Sequence, residues 1–123
     1  MARTFEDIEI WRLARILVKN IFILTNSDKL RKQYCIVDQI QRAALSVMNN
    51  VSEGFERQAN KEFIYFLKIA KGSVGEVRSM LYVLLDLKMI DDPQFQQFQT
   101  ETMIISKSLS GFISYLKNNT IKT

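Results

Sequence analysis

The sequence predicts an all-α protein, an antiparallel up-down-up-down four-helix bundle, from three observations. Apolar residues recur at three- and four-residue steps in four successive stretches. Polar breaks of about three to eight residues separate these stretches, short enough for antiparallel neighbours. No segment alternates with the period of two that a strand needs, and 123 residues contain only one Pro and four Gly. With 47% hydrophobic residues and no linker, repeat or low-complexity stretch, residues 1–123 are expected to form one domain.

The first helix is expected to open at Thr4, which forms a capping-box pattern with Asp7. Trp11, Ala14, Leu17, Val18, Ile21 and Leu24 then make its apolar face, with Arg12, Arg15 and Lys19 opposite. "TNSDK" (25–29) ends it, and Ser27 or Asp28 is expected to cap a second helix from about Leu30 to Arg57. The core stripe of that helix is Val37, Ile40, Ala44, Val47, Val51 and Phe55. Asn60 is the expected cap of the third helix, whose inward residues are Phe63, Phe66, Ala70, Val74, Val77, Leu81 and Leu84. "DDP" (91–93) breaks the chain again: Asp91 and Asp92 suit a cap, and Pro93 suits a first turn. Phe95, Phe98, Thr102, Ile105, Leu109, Phe112 and Leu116 follow in a coiled-coil-like seam.

The second helix carries residues that suit helix ends better than helix middles: Ser46, Asn49, Asn50 and Ser52. Gln39, Arg42, Ser46, Asn49, Glu53 and Arg57 form a polar stripe expected to face outward. In the third helix, Gly72, Ser73 and Gly75 are similarly poor helix formers, with Gly72 and Gly75 expected on the outer face. Each Asn or Ser costs several tenths of a kcal/mol relative to Ala, and each Gly about 1. A plain solvated surface gives no return for that cost, so the two clusters point to contact with another macromolecule. Glu53, near a helix C-terminus, is expected to pair with Arg42, Arg57 or Arg78 of a neighbouring helix or subunit.

Seventeen basic and thirteen acidic residues give a formal charge of +4, a mild lean towards polyanions. Lys61, Lys68, Lys71 and Arg78 fall within about a quarter-turn of one another on the outer face of the third helix. With Arg42 and Arg57 they are the candidate nucleic-acid-binding residues, and Tyr65 lies among them. Histidine is absent, which removes the commonest general base and the usual zinc ligand. No catalytic residue, metal site, cofactor or small-molecule substrate is therefore expected, and a helical ribonuclease would lack its usual acid–base group. Cys35 is the sole cysteine, so no intrachain disulfide can form. "MARTFEDIEIW" lacks a signal-peptide core, and no apolar run approaches the roughly 20 residues of a membrane span. A cytoplasmic protein is expected.

"FEDIEIW", "QIQRAALSVMNNVSEGFERQ", "KEFIYFLKIAKGS" and "GEV" resemble the successive signatures of the four-helix-bundle proteins encoded in intervening sequences of bacterial 23S rRNA genes. The resemblance spans roughly residues 5 to 118. Its most specific part joins Arg42-x3-Ser46-x3-Asn50 and Glu53-Gly54-x2-Arg57 to Gly72-Ser73-x2-Glu76. It implies a homopentameric ring, RNA or other nucleic acid as a partner, and a signature set of Gln39, Arg42, Ser46, Asn50, Glu53, Gly54, Arg57, Gly72, Ser73 and Glu76. Met48 and Asn49 stand where that family usually has Pro and Ala; Ser52 replaces another Ala, and Cys35 a Gly. Without the proline, the second helix should be straighter.

The leading expectation is a non-enzymatic ring-forming protein that binds nucleic acid through basic helix faces. The alternative is a structural or adaptor homo-oligomer whose polar signature only builds subunit interfaces.

Overall fold

The computed structural model describes residues 2–120 and contains four α-helices: α1 (Glu9–Thr25), α2 (Tyr34–Glu56), α3 (Asn60–Asp86) and α4 (Asp92–Thr120). No strand occurs among the described residues. α1 packs on α2 and α4, α2 on α3, and α3 on α4, while α1–α3 and α2–α4 make no close backbone approach. This is the square section of a four-helix bundle. Contacts fix the sense of two pairs. Along α3 and α4, Phe63 meets Phe112, Arg78 meets Gln99 and Tyr82 meets Phe95, so these helices run antiparallel. Ser46 with Ser73, and Gly54 with Phe63 and Phe66, show the same for α2 and α3.

The Thr4–Asp7 capping box closes a short 3-10 turn, Phe5–Asp7, rather than α1 itself. The Asp7 carboxylate accepts the backbone N–H groups of Arg3 (3.0 Å) and Thr4 (3.3 Å). Those two bonds hold its carboxyl below the ordinary carboxylate range. Two i→i+3 bonds close the turn, Ile8 is buried, and the α-helix starts only at Glu9. Ile10, Ala14, Leu17, Ile21 and Leu24 of α1 enter the core, with Trp11 and Val18 at its edge.

α2 begins four residues later than its periodicity suggests, because Leu30 is needed elsewhere. In the 26–33 connection the N–H groups of Leu30 and Arg31 donate to the Ser27 carbonyl, and Leu30 is fully buried. Ser27 and Asp28 thus belong to the turn, not to a cap, and α2 is about 34 Å long. The helix runs unbroken through Met48.

Asn60 is the first residue of α3 rather than its cap, which is Ala59. Phe66, expected in the core, is half-buried over the α2–α3 contact, and Leu67 takes the inward place. Lys88 ends α3 with positive φ, and the Met89 N–H donates to the Leu84 carbonyl at 2.9 Å, a Schellman-type close. For α4 the Asp91 carboxylate accepts the Gln94 N–H at 2.9 Å while the Gln94 side chain accepts the Asp91 N–H at 3.0 Å. Its buried line matches the expected seam at Phe95, Phe98, Thr102, Ile105, Leu109 and Leu116; Ile113 replaces Phe112, which packs edge-on against Phe63. Buried Thr102 donates to the Phe98 carbonyl at 2.9 Å, so its hydroxyl is satisfied inside its own helix.

Candidate nucleic-acid interface

The signature residues divide into an inner and an outer group. Ser46, Asn50 and Ser73 are half-buried where α2 crosses α3, and Gly54 is buried there. The Asn50 amide donates to the Ser46 carbonyl (2.8 Å) and hydroxyl (2.9 Å), the Ser46 and Ser73 hydroxyls lie 2.9 Å apart, and the Ser73 hydroxyl donates to the Ile69 carbonyl (3.1 Å). One direction gives both hydroxyls and the Asn50 N–H group an acceptor: Asn50 donates to Ser46, Ser46 to Ser73, and Ser73 to Ile69. The Ser46–Ser73 contact therefore joins α2 to α3 within one protomer, so Ser46 faces a helix of its own chain instead of facing outward as expected. Each such bond contributes about 1 kcal/mol when part-buried, which offsets the poor helix propensity of these residues.

Gly54 is at this crossing because nothing larger fits. A Cβ there would lie 2.8 Å from the Phe66 Cβ and 2.9 Å from Phe63 Cδ1. At Gly72 and Gly75 the same atom would meet nothing within 4 Å, as their expected outer position requires.

Gln39, Arg42, Glu53, Arg57, Gly72 and Glu76 are exposed. Arg42 is held 2.9 Å from Asp38 one turn earlier. Glu53 pairs at 3.0 Å with Arg57, the residue that closes the C-terminus of α2, and not with Arg42, Arg78 or another helix. The Arg57 guanidinium also lies over the Phe66 ring, 4.9 Å from its centroid. At about half exposure, the Glu53–Arg57 pair contributes only a few tenths of a kcal/mol.

Of the four expected cations on α3, Arg78 is tied to α4. It donates to the Gln99 side chain at 3.3 Å, and Gln99 donates back to the Arg78 carbonyl at 3.3 Å. Lys61, Lys68 and Lys71 are exposed and have no hydrogen bond or ion pair among the described residues. At 100° per residue they fall within an arc of about 80°, spread over about 15 Å of helix. Glu62 and Glu76 flank this face without a close ion pair to it.

Two features escaped sequence reasoning. One is the row Arg57–Phe66–Tyr65, in which the two rings meet edge-on with centroids 5.3 Å apart. Its sequence signal was an aromatic pair eight and nine residues beyond an arginine, across a helix connection, which no periodicity links. The other is a cavity of about 700 Å³ at one end of the bundle, lined by Phe55, Phe63, Phe112 and Tyr115. Among the described residues its lining holds no carboxylate or thiol side chain that could act as a base. Among the described residues no group of three or more metal-ligating side chains comes together, Cys35 is exposed, and no helix is long and apolar enough to cross a membrane.

Fold and site together define a small all-α bundle whose distinctive surface is a polar-pinned α2–α3 pair bearing unpaired lysines. Residues 6–111 match the model of the 23S rRNA-intervening sequence protein family, and the chain belongs to that family. Among solved structures it is similar to a Bacteroides thetaiotaomicron protein of unknown function from the S23 ribosomal protein family. The two are 25% identical with a TM-score of 0.72, over 85% of this chain and 94% of that one. No curated protein matches the chain.

Proposed function

We propose that this protein is a non-enzymatic, self-associating cytoplasmic helical bundle that binds RNA, or another nucleic acid, through the lysine face of α3. The observation that carries the reading is the contrast between its cations. Arg12, Arg31, Arg42 and Arg57 each sit beside a carboxylate one turn away; among the exposed cations without an ion pair, Lys61, Lys68 and Lys71 are gathered within about 80° and 15 Å on one helix face. Unpaired ammonium groups on one rigid face suit a phosphate backbone, where each contact releases counterions. The family's description refers to 23S rRNA intervening sequences, a context that favours RNA over an acidic protein. A ring of protomers, five by family resemblance, would repeat this modest stripe into a continuous positive band.

Three phosphate contacts, the share of one protomer, set a minimum salt dependence. Raising salt from about 50 to 200 mM should weaken RNA binding by at least roughly 20- to 40-fold, measured by fluorescence anisotropy. An affinity indifferent to salt would refute phosphate-directed binding.

The adaptor reading draws on a different observation. Ile69 is exposed one turn before the open Gly72, and Val83 is exposed about two turns beyond the open Gly75, along a face where a second backbone can approach closely. In that reading the outer face of α3 meets only other protein, and no RNA is retained at low salt.

A further inference from the structure

We infer that the nucleic acid taken by the α3 face is single-stranded, with one unpaired base stacked on Tyr65; this rests on the nucleic-acid reading above. Tyr65 is 62% exposed on a helix of 27 residues. Lys61 precedes it by four residues and Lys68 follows by three, so both cations lie on its face, one turn to either side. Glu62, three residues before it, is the acidic neighbour on the same helix.

The ring is also supported. Phe66 meets Tyr65 at an interplanar angle of 81°, and the Arg57 guanidinium covers Phe66 in turn. In an edge-to-face pair, at least one face of the tyrosine is left unused. An exposed aromatic face held by a neighbour, with phosphate-binding cations at both ends, is what a stacking platform needs. A duplex keeps its base faces buried in its own stack, so it would meet only the lysines. The tyrosine therefore adds affinity for an unpaired strand and none for a duplex.

The test compares a fluorescein-labelled single-stranded RNA of about 20 nucleotides, lacking self-complementarity, with its full duplex, at the low salt that favours phosphate contacts. Tyr65→Leu should lower single-strand affinity about 10-fold, the scale of one stacked base, and leave duplex affinity unchanged. Tyr65→Trp should keep wild-type affinity, and neither variant should move the melting temperature. If Tyr65→Leu binds the single strand like the wild type while Lys68→Glu weakens it, stacking is wrong and phosphate binding stands. Equal loss of single-strand and duplex affinity in Tyr65→Leu would also overturn the inference. A wild-type protein that binds neither probe would remove the nucleic-acid reading and this inference together.

Discussion

Gly54→Ala will lower the melting temperature, although alanine is the better helix former by about 1 kcal/mol. The added methyl would sit 2.8 Å from the Phe66 Cβ, an atom fixed to the α3 backbone, and 2.9 Å from a ring carbon of Phe63. Phe63 is itself wedged between Phe55 and Phe112, with ring centroids at 6.0 and 5.3 Å, so it has little room to turn. Relief requires α2 and α3 to separate, which would also stretch the Ser46–Ser73 contact. Overpacking of this kind costs about 1–3 kcal/mol and more for a branched side chain. We expect a net loss of up to about 2 kcal/mol for Gly54→Ala and more than about 3 for Gly54→Val, against a total stability of roughly 5–15. Gly72→Ala and Gly75→Ala should instead stabilise an isolated protomer by about 0.5–1 kcal/mol each, because their sites are open. Chemical denaturation of the four variants checks the signs. A Gly54→Ala protein as stable as the wild type would mean that the helices do not cross this closely.

Reversing the charge of Lys61, Lys68 and Lys71 to Glu will abolish RNA retention at low salt while leaving the fold intact. Each side chain is exposed and unpaired among the described residues, so each substitution should alter stability by no more than about 0.5 kcal/mol. Binding loses three attractive contacts and gains three repulsive ones, so the effect exceeds that of neutralisation. Arg42→Glu is the comparison. Asp38 already offsets Arg42 at 2.9 Å, so reversing it should weaken binding less than Lys68→Glu does. A filter-binding series with circular dichroism of each variant separates lost affinity from lost structure. Wild-type retention by the triple variant would show that the α3 lysines do not hold the RNA.

Much of the fold was legible in the sequence because burial repeats with the helical period. Leu17, Ile40, Leu81 and Ile105 all lie at phases that periodicity assigns to the core, and all are buried. Phase fails at boundaries. Ser46 and Ser73 each precede a core valine, at the border between inner and outer faces, and only the approach of α2 to α3 decides that they meet. Adjacent Phe112 and Ile113 are both apolar, and the neighbouring helices choose Ile113 for the core. Leu30 is buried from a turn, where no period exists. Gly54 was within reach: it lies seven residues after Val47 and three after Val51, both buried, so its phase is inward. Its place in a polar signature drew attention outward instead. The exposure of the α3 lysines was readable, whereas their lack of partners needed the positions of every carboxylate.

The central claim is that the unpaired lysines and open glycines on the outer side of α3 exist to meet another macromolecule. Light scattering coupled to size-exclusion chromatography, run with and without a single-stranded RNA, tests it most directly. The expected mass is a multiple of the 14.4 kDa protomer, and it should rise when RNA is added. A single 14.4 kDa species, the same in both runs, would contradict it.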